Sequence, residues 1–145
     1  MFKLISIDPG KCKCGLVLVD LQKKKVDQAI VINTEFLPSY VKNLNGSENI
    51  SKVLIGNGTT SRQNIEKLDF IRNDLIIVEE KNTTLRAKKR YFEIFPIRGL
   101  KSFLPKEIFI MNKNLDALSA LIILEDHCNH KFTLSENIDI KTWLK

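Results

Sequence analysis

With 145 residues and 43% hydrophobic content, the chain is long enough to bury a core without disulfides or a structural metal, so one domain over residues 1–145 is expected. No apolar run approaches ~18 residues and no basic-then-apolar leader opens the chain, which disfavours a membrane-spanning helix or a secreted precursor and leaves a soluble, cytoplasmic protein as the expectation. The net charge of +6 is clustered at residues 23–25 and 86–90, with Arg98 and Lys101 beyond, which suits a polyanionic partner as well as a solvated basic surface.

Residues 2–7 carry Phe2, Leu4, Ile5 and Ile7, a run too short for a stable helix and therefore read as a buried strand. Pro9 fixes φ and removes a donor, and Gly10 permits positive φ, so the strand stops at Asp8. Residues 15–20 read as a second strand folding back on the first. Asp8 is thereby left at a strand end inside a sheet, where a carboxylate needs a cation, a donor or a proton. A local turn closed by the Asp8 side chain is the plainer alternative.

Residues 21–25 form a polar turn, and residues 26–32 a third strand that completes an antiparallel meander. Residues 36–44 are weakly periodic, enough for one or two helical turns, and 45–49 read as a loop. A fourth strand at 52–55 runs into Gly56, Asn57, Gly58, Thr59, Thr60 and Ser61, followed by a helix over 62–70. A strand, a glycine-rich turn and a helix start in succession can offer backbone N–H groups to a phosphate, with Gly56, Gly58, Thr59 and Ser61 as candidates; the hydroxyls could equally be helix caps. The spacing fits neither a Walker A loop nor a dinucleotide fingerprint.

The continuous apolar run 75–78 suggests a strand covered on both faces, and two acids, Glu79 and Glu80, stand at its exit. Thr83 and Thr84 offer a cap to a helix over 85–95, with Leu85, Phe92 and Phe95 on its inner side and Arg86, Lys88, Lys89 and Arg90 as a basic face, until Pro96 ends it. Residues 97–112 read as a surface loop and a short extended segment at 108–111. Asn114 can cap a last helix over about 115–127, with Asp116 in its first turn. The polar tail 129–145, with Trp143, has no assignable role.

The three cysteines, Cys12, Cys14 and Cys128, fit reduced thiols better than a disulfide framework. A zinc site drawing on Cys12, Cys14, His127, Cys128 and His130 is disfavoured by the single residue between the first two.

The ordered set Ile7-Asp8-Pro9-Gly10 with Gly15, the strand 53–56 with its loop, Glu80-Lys81-Asn82-Thr83-Thr84, and Asp116-Ala117-Leu118-Ser119-Ala120 resembles the ribonuclease H-like superfamily, within it the RuvC resolvase and YqgF-like branch. The resemblance implies an α/β fold, a mixed sheet of antiparallel meander plus parallel strands with helices on both faces. It also implies an acidic cluster that holds Mg²⁺ or Mn²⁺ for phosphodiester hydrolysis in structured DNA or RNA, a Holliday junction resolvase-like or precursor-rRNA nuclease activity. Hard divalent cations select such oxygen ligands.

Asp8 matches the first acid of the pattern, Asp116 the last, and Glu80 the middle one, because the Thr-Thr pair follows it; Glu79 is the fallback. These three would be both catalytic and metal-binding. Arg86, Lys88, Lys89, Arg90, Arg98 and Lys113 would contact nucleic acid, and a two-fold junction would call for a homodimer. The pattern is broken at Lys113, where RuvC-type resolvases carry a further aspartate; a charged lysine can contact phosphate but cannot ligate a metal. The rival expectation is a nucleic-acid-binding module of the same fold without catalysis.

Overall fold

The computed structural model describes residues 2–110, 115–136 and 138. Lys113, Asn114 and Trp143, invoked above as a phosphate contact, a helix cap and part of the tail, lie outside the described residues.

Alternation along the first strands sets the layers. In β1 (Lys3–Asp8) Leu4 faces one hydrophobic cluster while Ile5 and Ile7 face another, and in β2 (Lys13–Asp20) Leu16 and Leu18 alternate with Val17 and Val19 in the same way. Successive strand side chains point to opposite faces, so each strand feeds two cores at once. β3 (Lys25–Asn33) completes the antiparallel meander. β4 (Ile50–Gly56) then pairs parallel with β1, and β5 (Leu75–Val78) parallel with β4. The order is β5-β4-β1-β2-β3-β6, a mixed sheet with β1 near its centre.

One face is covered by α1 (Leu37–Ser47), which buries Leu37, Val41 and Leu44, and by Leu68 and Ile71. Leu68 follows α2 (Ser61–Lys67), and Ile71 belongs to a 3-10 stretch at Asp69–Asp74. The opposite face is covered by α5 (Asp116–Cys128), which buries every residue from Ala117 to Glu125 and packs on β1 and β2. α3 (Thr83–Ile94) lies against α5. Small residues let α5 approach the sheet closely: Ser6 Oγ donates to the Ala120 carbonyl at 2.7 Å in the interior.

Several expectations are corrected. α1 continues through Ser47, so residues 45–47 are helical rather than loop. Residues 108–110 belong to a helical turn, α4 (Glu107–Ile110), preceded by a 3-10 turn at Gly99–Phe103, because Pro105 starts a new turn and no strand among the described residues pairs with the segment. The inner side of α3 is formed by Ala87, Arg90, Tyr91 and Ile94, while Leu85 is 69% exposed.

The tail also has a structural role. β6 (Thr133–Leu134) extends the sheet parallel to β3, and Phe132 is buried in the α5-side core. Its anchor is Arg90, whose guanidinium donates to Glu125 Oε1 at 2.8 Å and Oε2 at 3.2 Å, to Glu93 Oε2 at 3.2 Å and to the Phe132 carbonyl at 2.8 Å. The Phe132 N–H returns to Glu125 Oε1 at 2.9 Å. No helix among the described residues is long and apolar enough to cross a membrane.

Candidate acidic site at the centre of the sheet

Asp8 ends β1 in register with Gly15 of β2, and its other neighbour strand, β4, ends at Gly56. Glycine at both flanking positions has a steric cause. A Cβ at Gly15 would lie 1.9 Å from the Asp116 carbonyl oxygen, and one at Gly56 would lie 1.7 Å from Glu80 Oε1. The backbone of the α5 N-terminus therefore sits directly on Gly15, and the Glu80 side chain lies directly over Gly56. Two absent methyl groups bring Asp116 and Glu80 to either side of Asp8.

The electrostatics record this convergence. The Asp8 carboxyl is pushed from its ordinary 3.8 to about 7, chiefly by burial, then by the negative charges of Glu80 and of Asp116. Burial also raises Glu80, whose Oε1 is enclosed and accepts no hydrogen bond. Glu79 is exposed at the same strand exit, whereas Glu80 is half-buried.

An enclosed, unpartnered carboxylate oxygen beside an acid that resists ionisation is a set of hard donors short of positive charge, and a small divalent cation suits it. Asp8, Glu80 and Asp116 would be its ligands. Among the described residues, however, no group of three or more His, Cys, Asp or Glu is drawn together as a ready-made ion cage. Asp8 senses the charges of Glu80 and Asp116 without the three closing into one. The cysteines do not assemble either: Cys12 is exposed, Cys14 is buried within 3.4 Å of Thr34 Oγ1, and Cys128 lies at the other end of α5, about 18 Å along its axis from Asp116.

The glycine-rich loop lies against this site but is largely turned in on itself. Gly56 belongs to β4 and serves as the seat of Glu80. The Ser61 N–H donates to the Gly58 carbonyl at 3.1 Å and its hydroxyl to Asn57 Oδ1 at 3.5 Å, while Thr60 Oγ1 donates to the Pro9 carbonyl at 3.4 Å. These bonds brace the loop on the turn after Asp8. Thr59 is exposed, and Gly58 faces Pro9 and Glu80.

The basic set divides. Lys88, Lys89 and Arg98 are exposed. Arg90 is only 9% exposed and fully engaged by Glu125, Glu93 and Phe132, so it is an interior tie and not a phosphate contact. Arg86 makes a two-pronged ion pair with Asp126, which holds the Asp126 carboxyl below its usual range. These pairs line a cleft of about 560 Å³ between α3 and the end of α5. Helical spacing puts Arg90 on the face of Ala87 and Ile94, but its partner Glu125 lies 35 residues away and local sequence does not reveal it.

The two glycines yield a prediction. Gly15→Ala sets a Cβ against backbone, which cannot swing away, and is expected to lower the thermal midpoint by several degrees. Gly56→Ala meets the end of a flexible side chain, and is expected to displace Glu80 with a smaller loss of stability. Thermal unfolding of the two variants side by side checks the order; a larger loss at Gly56 would contradict it.

No family model and no curated protein sequence matches the chain. Among solved structures, T. thermophilus RuvC in complex with Holliday junction substrate is similar, with a TM-score of 0.50 and 11% identity over 89% of this chain and 96% of that one. The likeness establishes the fold: an α/β mixed sheet of the RuvC-like, ribonuclease H-like kind.

Proposed function

We propose that the protein is a divalent-metal-dependent endonuclease acting on structured nucleic acid, with Asp8, Glu80 and Asp116 as the ligands of Mg²⁺ or Mn²⁺. The observation that carries this reading is the placing of Glu80 and Asp116 to either side of Asp8 over two glycines, with Asp8 raised to about 7. The fold supports it, because the similar RuvC structure holds a Holliday junction.

A bound divalent ion would supply Lewis acidity and charge neutralisation to an attacking water and a leaving phosphodiester oxygen. The chain's own part is to fix the carboxylates from three separate elements and to keep the Glu80 oxygen shielded from competing donors. Exposed Lys88, Lys89 and Arg98 would hold phosphates without reading sequence. Lys113 would join them, and a two-fold substrate would be cut symmetrically by a homodimer.

A second reading has one observation in its favour, the lack of a closed three-ligand cage among the described residues. It makes the chain a binding module without catalysis. A panel of four-way junctions, flaps, duplex DNA and precursor rRNA, with Mn²⁺ or EDTA, separates the two. Cleavage that needs Mn²⁺, is lost in Glu80→Gln and persists in Glu79→Gln is expected. Binding that survives EDTA with no cut in any substrate would favour the module.

A further inference from the structure

A second cleft, of about 350 Å³, lies between the end of α3 and the segment that follows it, away from the acids. Its walls include the rings of Tyr91, Phe95 and Phe109, and Arg98 and Lys101 contribute two cations. Tyr91 and Phe95 are braced together, centroids 5.1 Å apart with planes inclined at 45°, and Tyr91 packs on the α5-side core. Lys106 Nζ sits 5.5 Å from the centre of the Phe92 ring and ties the segment back to α3.

The surroundings point to an occupant. From 96 to 109 the segment carries three basic residues against one acid, so its partner is anionic. On the same 3-10 turn as Lys101, Leu100 and Phe103 are 87% and 85% exposed, too open to serve this chain's own core. Aromatic walls with cations beside them are the means by which proteins take up unpaired bases, the ring stacking on the base while the cation meets its phosphate. The volume is at the lower end of small-molecule sites and suits a single nucleotide.

We propose that the cleft between α3 and residues 97–109 binds an unpaired nucleobase, stacked against Phe95 and Phe109, with its phosphate held by Arg98 and Lys101. This rests on the nuclease reading only in taking the partner to be nucleic acid. Tyr91 and Phe95 follow Thr83, at the start of α3, by eight and twelve residues, about 12–18 Å along the helix axis. The end of α3 near Glu80 and the base cleft are therefore separated by about four or five stacked nucleotide steps. The substrate class becomes sharper: a site where a strand leaves its duplex within a few nucleotides of the scissile bond.

The test uses the full chain in EDTA with three oligonucleotides carrying 2-aminopurine: a single strand, a flap with the probe in its unpaired arm, and a matched duplex. The bound wild-type protein is expected to quench the probe in the first two and not in the third. Phe109→Leu and Phe95→Leu are each expected to weaken binding to the unpaired probes about 10-fold while duplex affinity changes less than 2-fold. Bound wild-type protein that leaves the unpaired probe unquenched overturns the proposal without reference to any variant. Folded variants that lose affinity equally for all three probes, or for none, overturn it too. If instead Phe109→Leu abolishes cosedimentation with phosphatidylserine vesicles and spares the oligonucleotides, the cleft serves a lipid surface and the proposal fails. Wild-type protein that binds none of the three oligonucleotides at low salt sinks the nucleic-acid reading itself, a result distinct from the others.

Discussion

Asp8→Asn is expected to make the protein more stable at pH 8 and to reduce its Mn²⁺-dependent cleavage by about 10³-fold or more. The two effects have one source. Between 3.8 and about 7 the folded protein keeps a proton on Asp8 that the unfolded chain has lost, so this contribution to stability falls as pH rises through that window and levels off above about 7. Full conversion of the shift would give about 4 kcal/mol, and partial access of solvent reduces it to about 1–3 kcal/mol. An amide of the same shape has no charge to bury and none to be repelled by Glu80 and Asp116, so the variant's thermal midpoint at pH 8 is expected to rise by roughly 2–10 °C.

The wild-type midpoint should therefore climb as pH is lowered from 8 to 5, and that of Asp8→Asn should climb less. Carboxyls held below their usual range, Asp20, Glu93 and Asp126, act in the opposite sense. Their stabilisation is present above about 4 and lost below it, outside the Asp8 window. Unfolding curves from pH 5 to pH 8 check the sign. A variant less stable than wild type at pH 8 would show that Asp8 is held by favourable contacts and not crowded by like charge.

Arg90→Ala is the second large effect, expected to cost about 3–5 kcal/mol, with a thermal midpoint lower by roughly 6–20 °C. The change leaves Glu125 buried, 7% exposed, with its charge no longer matched, and frees the Phe132 carbonyl that holds β6 in place. Lys88→Ala on the exposed side of the same helix is expected to change stability by less than about 0.5 kcal/mol. The pairing also predicts partial recovery when both ends go: Arg90→Met with Glu125→Leu should be more stable than Arg90→Ala alone. Denaturant unfolding of the three variants checks the set, and an Arg90→Ala loss as small as that of Lys88→Ala would return Arg90 to the surface.

What the sequence made legible was local or chemical. The meander follows from alternating runs broken at Pro9 and at 21–25, and the strand ends follow from the acids that punctuate them. The Thr-Thr register singles out Glu80 as the expected middle acid, and the Glu80 side chain lies over Gly56. What stayed hidden depended on distant partners. Arg90 shares the 87, 90, 91, 94 spacing of the inner face of α3, but a cation on that face reads as solvated until its partner Glu125 on α5 is seen. β6 is two residues long and pairs with a strand more than a hundred residues earlier. Gly15 reads as an ordinary strand residue and Gly56 as a turn glycine until the close approach of Asp116 and Glu80 is seen.

Oxygens from β1, the exit of β5 and the start of α5 are expected to share a divalent cation. The most direct measurement of that sharing is a Mn²⁺ titration followed by the spectrum of the free ion in electron paramagnetic resonance, for wild type and Asp8→Asn at pH 8. Saturable binding by the wild type that is lost or weakened at least about 10-fold in the variant is the expected result. Binding that is unchanged by the substitution, or wild-type protein that takes up no Mn²⁺ at millimolar concentration, would contradict it.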